Sequence, residues 1–158
     1  MPVLLTRIDD RLIHGQVVIG WGRPLGLERI VLVDDAVAAN PWEQDLYRMA
    51  VPDGIEVDFA TAREAAAQLA GWQASPRRMA VLTGDIPTML AMLADGAPDS
   101  LRVNIGGLHH RPGRTERLPY VYLADAEWQA LADLAGAGVS VSAQDVPTAP
   151  AVPLERLR

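Results

Sequence analysis

The sequence has no cysteine, no lysine and no unbroken apolar run long enough to cross a membrane as a helix. Without Cys there is no disulfide framework, no thiolate nucleophile and no thiolate metal site. Without Lys, a Walker phosphate loop, a Schiff-base enzyme and a lysine general base are all excluded. All 14 basic residues are Arg, as codon usage favouring Arg and Ala produces. Any phosphate must therefore be held by Arg, backbone amides or a helix terminus. The opening "MPVLLTRIDD" lacks a basic segment followed by a long apolar one, so the chain reads as cytoplasmic and non-spanning. Its net charge of −6 gives no general attraction to nucleic acid or to an anionic membrane.

At 158 residues, the chain fits one domain with a proper core. Val3 to Ile8 is a Leu- and Val-rich run that ends in Asp9-Asp10, the pattern of a buried first strand. A helix is expected from about Gly15 through "QVVIGW", stopping before Pro24 and Gly26. "RIVLVDD" is a second strand. It is followed by a helix with Asn40 as cap, Pro41 at its first position, and Leu46, Met49 and Ala50 facing inward. "GIEVDFA", "RRMAVLTGD", "SLRVNIGG" and "VSVSAQDVP" read as further strands. Between them lie "TAREAAAQLAGW", opened by a Thr61–Glu64 capping box, "IPTMLAMLADG", closed by Gly96, and "DAEWQALADLAGAG". "LHHRPGRTERLPYVYL" combines a Pro-Gly turn with a β-rich run, and the tail beyond Pro147 is Pro-rich. This alternation predicts an α/β fold: an open, mainly parallel sheet with helices on both faces, in a single domain over residues 1–158.

Open sheets of this kind bind ligands beyond the carboxyl ends of their strands. Those ends carry Asp9-Asp10-Arg11, Asp34-Asp35, Thr83-Gly84-Asp85 and Asn104-Ile105-Gly106-Gly107, and His14 follows the first of them. Imidazole is largely uncharged near neutral pH, so a ring nitrogen can attack phosphorus without first losing a proton. A carboxylate at Asp9 or Asp10 would fix the tautomer and stabilise positive charge on a phosphorylated ring. Arg11 supplies a planar donor fork for the phosphoryl oxygens. Backbone amides across Ile13, Gly15, Gln16 and Val17 at a helix start add further donors, and Thr83 and Gly84 are additional candidates at a neighbouring strand end. Each feature also has a plain reading: Asp10 as a helix cap, Arg11 as a solvated charge, His14 as an inert loop residue.

Other segments say less. His109 and His110 are adjacent, and adjacent side chains rarely converge on one ion, so neither metal nor cofactor is expected. "NIGGLHH" lacks the spacing of a dinucleotide fingerprint and reads as a tight turn. Arg111, Arg114 and Arg117 surround Pro112-Gly113 and form a local basic segment on an acidic protein, a candidate docking surface for an acidic or phosphorylated partner.

"RIDDRLIHGQVVIGW" resembles the IIB component of the mannose/fructose/sorbose family of the bacterial phosphoenolpyruvate-dependent sugar phosphotransferase system. "IVLVDDAVAANPWEQDLYRMAVPDGIEV", "VLTGDIPTML", "VNIGGLHHRPGRTE" and "GVSVSAQDVPTAP" resemble later segments of that family in order and spacing. The resemblance implies an α/β protein that accepts a phosphoryl group from a phosphohistidine on a IIA protein. It passes that group to a sugar bound by the membrane subunits IIC and IID, with which it associates peripherally. The family's phosphorylated histidine falls on His14, and its neighbouring acids and arginine fall on Asp9, Asp10 and Arg11. The absence of Lys and of a fused IIA domain departs from common members, so a separate IIA partner is expected. Two other readings stand beside transport: a regulatory phosphorelay or binding module that senses phosphorylation, and a phosphohistidine mutase or phosphatase.

Overall fold

Short apolar strands, buried on both faces, set the framework. The structure, a computed structural model, describes residues 3–158. Its main sheet is built from β1 (Val3–Ile8), β2 (Arg29–Val33), β3 (Glu56–Ala60), β4 (Met79–Thr83), β5 (Arg102–Ile105) and β8 (Ser140–Ala143), with the short β9 (Val152–Pro153) at its edge. The order is β3-β2-β4-β1-β5-β8-β9, parallel throughout except for β9, which runs antiparallel to β8. A separate antiparallel pair, β6 (Thr115–Leu118) and β7 (Val121–Leu123), accounts for the β-rich run after the Pro-Gly turn.

Alternation along the strands divides the interior into two cores. Val31, Val33, Met79 and Val81 face one side, under α4 (Ala62–Ala74), α5 (Ile86–Met92) and α6 (Asp125–Gly136). Ile30, Leu32, Ala80 and Leu82 face the other, together with Val17, Val18 and Trp21 from a π-helical turn, Gln16–Trp21, that runs into α1 (Gly22–Leu25). Right-handed crossovers explain this division: chain moving from β1 toward β2 and β3 covers one face, and chain moving back through β4, β5 and β8 covers the other. The connection that leaves β1 thus departs to the opposite face from those leaving its neighbours β4 and β5. This reversal opens a crevice at the carboxyl end of β1. Among the described residues, no helix is long and apolar enough to cross a membrane.

Asn40 and Thr61 cap their helices as the sequence predicts, accepting from the Glu43 and Glu64 amides. Two local expectations need correction. Pro24 lies inside α1, because the chain passes from π to α geometry at Gly22 and residue 24 falls in a first turn, where a missing N–H is tolerated. Gly26, at φ 61°, ends that helix. In α3 (Pro41–Met49), which follows the short α2 (Asp35–Ala38), Leu46 and Met49 are 47% and 81% exposed, and Ala50 is exposed as well. Tyr47 turns inward instead and packs on Phe59. The Pro-rich tail returns as β9 and a 3-10 turn, Leu154–Leu157, burying Leu154 and Leu157.

The Gly106-Gly107 pair at the end of β5 is a matter of space, since neither residue has a positive φ. A methyl group at Gly106 would collide with the Arg7 guanidinium arriving from β1. Gly71, in the interior of α4, has nothing within 4 Å of the same position. Gly106→Ala is therefore expected to lower unfolding free energy by about 1–3 kcal/mol. Gly71→Ala is expected to raise it by about 0.4–1 kcal/mol. Urea denaturation of the two variants checks the opposite signs.

Candidate functional site

Three strand ends meet where β1 stops. The Asp9 amide donates to Thr83 O of β4 (2.9 Å), Gly106 N donates to Ile8 O (2.7 Å), and Asp10 N donates to Gly107 O (2.8 Å). The chain then folds back in a turn closed by Leu12 N donating to Asp9 O (3.0 Å). Leu12 takes φ 59°, a left-handed conformation that costs a non-glycine residue about 1–3 kcal/mol. Its side chain lies over Gly84, where a methyl group would come within 2.7 Å of Leu12 Cδ2. Buried Ile13 anchors the next step, and His14 then projects at the head of the π-helical turn.

Asp9 is the centre of this arrangement and is entirely buried. Arg11 grips it with Nε on Oδ1 (3.0 Å) and Nη2 on Oδ2 (2.9 Å), while the Arg11 amide donates to Oδ1 (3.1 Å). Arg7 Nη2 reaches Oδ2 from below at 3.2 Å. His14 Nε2 stands 3.3 Å from the same oxygen, buried and off the axis of a hydrogen bond, so this contact is mainly one of charge with ring. Burial by itself would raise the Asp9 carboxyl; the His14 ring, Arg11, Arg7 and the Gly107 amide outweigh it and hold Asp9 well below the ordinary carboxylate range. Asp9 in turn raises the Arg11 guanidinium.

The His14 ring is ordered on both sides. Nδ1 accepts from the Gln16 amide at 3.3 Å, so in the singly protonated ring the proton belongs on Nε2, against Asp9. Nδ1 is thus the unprotonated nitrogen, on the exposed side of the loop, with its lone pair held by the Gln16 amide. Gly15 is exposed, with φ −55° and nothing within 4 Å of where a methyl group would sit, so its smallness leaves open space beside the ring. Arg11 Nη1 donates to Gln16 Oε1 at 2.7 Å, tying the turn to the helix start. Val17 is buried in the core, which leaves only its backbone facing the loop.

Of the two acids, only Asp9 faces His14. Asp10 neither caps the helix nor meets that ring: it accepts from His109 N (2.7 Å) and pairs with His109 Nδ1 (2.6 Å), fastening the β1 loop to the β5 loop. Thr83 is fully buried and its hydroxyl donates to Asp85 O at 3.4 Å, so it and Gly84 support the loop from behind and do not line its mouth. The basic segment is not a free surface. Arg114 makes a two-pronged pair with Glu127 (2.9 and 2.8 Å) and donates to His109 O (3.0 Å). Arg117 donates to Leu123 O and Leu157 O and pairs with Asp125. Backbone carbonyls and acids that come together only in the fold consume these two guanidiniums, and Arg111 is left as the exposed member.

Sequence reasoning missed Arg7. Fully buried in β1, it donates from Nη1 to Asn104 Oδ1 and Gln144 O (2.8 Å) and from Nη2 to Asp9 and Asp145 O (3.2 Å), with Cζ 5.2 Å from the Trp21 ring centre. Trp21 Nε1 donates to the same Asp145 carbonyl (3.1 Å). The available signal was an arginine within a strand whose neighbours mark it as buried on both faces. Gly107 was missed for a related reason: a side chain there would press on Arg11 Nε at 3.0 Å and Asp9 Oδ1 at 3.1 Å.

Comparison with known proteins covers the same span as this architecture. The family profile described as PTS system sorbose subfamily IIB component matches residues 3–157. The N-acetylgalactosamine-specific phosphotransferase enzyme IIB component 2 of Escherichia coli (strain K12) is 34% identical over 158 residues, 99% of this chain and 99% of that protein. The mannose-specific EIIAB component of the same organism is 29% identical over 150 residues, which is 95% of this chain and 46% of that larger protein. The crystal structure of the IIBSor domain of the sorbose permease from Klebsiella pneumoniae superposes with a TM-score of 0.87 at 31% identity, covering 99% of this chain and 96% of that one. The chain thus belongs to the mannose/sorbose family of IIB components of the sugar phosphotransferase system, proteins that act in phosphotransfer during sugar uptake.

Proposed function

We propose that this protein carries the phosphoryl group on His14, taking it from a phosphohistidine of a IIA protein and delivering it to a sugar held by membrane subunits IIC and IID. The observation that carries this reading is the His14 ring, whose Nε2 faces the buried Asp9 carboxylate and whose Nδ1 faces outward. The EIIAB relative supports the donor: this chain matches 46% of it, and its name announces an A component alongside the B component. Working beside membrane subunits with no spanning helix among its described residues, the chain acts at the cytoplasmic face as a peripheral subunit.

In the forward step, the Nδ1 lone pair of His14 leaves the Gln16 amide and attacks the phosphorus in line as the N–P bond to the donor imidazole breaks; the freed amide then faces the phosphoryl oxygens. The bonding electrons return to the donor ring. Phosphorylated at Nδ1 and protonated at Nε2, the His14 ring is cationic, and Asp9 is placed to stabilise it. Arg11, the amides at the helix start and the Gln16 side chain meet the phosphoryl oxygens, so the reaction relies on position and charge. In delivery, a sugar hydroxyl oxygen attacks the same phosphorus, the N–P bond breaks, and its electrons return to Nδ1 while the hydroxyl proton passes to solvent. Asp10 and His109 hold the loop in shape and take no part in bond making. Of the basic segment on which a regulatory partner would dock, Arg114 and Arg117 are folded into the structure and Arg111 stays exposed.

Incubation with phosphorylated IIA is expected to add one phosphoryl group to the wild-type chain and none to His14→Ala, read by intact mass. An equally labelled His14→Ala would move the acceptor elsewhere. Arg11→Ala is expected to slow transfer by on the order of 100-fold, the usual loss for one charge-stabilising donor. Rapid-quench kinetics checks this, and an unchanged rate would remove Arg11 from the reaction.

A further inference from the structure

Asp9 bears one negative charge yet faces two guanidinium groups, and the two are held very differently. The Arg11 side chain is 32% exposed and bonds only within its own turn, to Asp9 and Gln16. Arg7 is wholly buried, and its cage draws on Asn104 of β5, the Gln144 and Asp145 carbonyls beyond β8, and the Trp21 ring of the π-helical turn. Gly106 closes the remaining side so tightly that no methyl group fits. Arg7 has no room to leave Asp9, whereas rotation of its own side chain is enough to free Arg11.

A phosphoryl group arriving on His14 competes with Asp9 for a cation. Were Arg11 the sole partner of Asp9, its departure would strand an ionised carboxylate in a buried position, which is strongly unfavourable. The stranded group would take up a proton and cease to act on the His14 ring as an anion. We propose that Arg7 is the standing counter-ion of Asp9, a positioning residue that lets Arg11 pass from the carboxylate to the phosphoryl group while Asp9 stays ionised against His14. Only hydrogen bonds change hands in this exchange: Arg11 Nε–H and Nη2–H leave the Asp9 oxygens for phosphoryl oxygens. The inference rests on His14 being the acceptor.

The decisive measurement uses the intact wild-type chain with 15N-labelled arginine, observed by NMR before and after phosphorylation by phosphorylated IIA. Arg7 Nε–H is buried without a partner, so it should give its own slowly exchanging signal. On phosphorylation, the Arg11 Nε–H signal is expected to move and the Arg7 signal to stay. An Arg11 signal that stays in place in a labelled protein overturns the proposal. Kinetics supplies a second check. Arg7→Gln is expected to slow transfer about as much as Arg11→Ala, on the order of 100-fold. Arg7→Lys should restore most of the rate. An Arg7→Lys rate no better than that of Arg7→Gln would make Arg7 a structural residue only, and if Arg7→Gln does not fold, the NMR experiment on the wild type decides alone. Comparing the intact masses of wild type and His14→Ala reports separately on the acceptor: an unlabelled wild type sinks that assignment, whereas a labelled wild type with a fixed Arg11 sinks only this one.

Discussion

Everything at this site depends on a carboxylate kept ionised where no water reaches it. Burial pushes Asp9 toward its neutral form, and the surrounding donors reverse that push. Because the charge survives, the His14 ring acquires a defined tautomer, Arg11 acquires a resting place, and Arg7 acquires a reason to lie inside a strand. Remove that one anion and two guanidiniums are left facing each other beneath a loop whose Leu12 is already held in a strained conformation.

The fold supplies this anion with its partners through topology. The reversal of strand order at β1 brings the ends of β4 and β5 to either side of Asp9, and backbone hydrogen bonds from both neighbours fix its position. The glycine pair at the end of β5 makes room for the two arginine side chains. The chain beyond β8 then supplies carbonyls to Arg7 and Trp21 together. The site is thus assembled from four separate stretches of chain, and the local motif around His14 contains only part of it.

That division explains what could be read from the sequence. Strands of Val, Ile and Leu alternating with capped helices pointed to the parallel sheet, and the acids after the first strand marked where a ligand-binding end would lie. The role of Arg7 was hidden because its partners Asn104 and Gln144 are 97 and 137 residues away. The choice between Asp9 and Asp10 was hidden because it turns on which way two consecutive side chains point at a strand end, and that is set by contacts with His109 and Arg7. In α3 and the residues just after it two apolar stripes compete, Leu46 with Met49 and Tyr47 with Val51, and the neighbouring Phe59 decides between them. Arg114 and Arg117 looked free for the same reason: their acids and carbonyls come together only through the packing of α6 and the tail.

The paired guanidiniums have one more consequence. Arg7 and Arg11 against Asp9 concentrate positive charge where the phosphoryl group lands, with the carboxylates of Asp10 and Asp145 close by. A phosphoryl group brings about two negative charges. Set against the cationic ring it forms, the mouth of the crevice therefore gains about one net negative charge when, on the reading proposed for His14, the protein is loaded with phosphate. A donor surface complementary to the empty carrier holds the filled one less tightly, and a recipient surface experiences the opposite. The direction of traffic is thus written partly in electrostatics at the rim, without any change of fold.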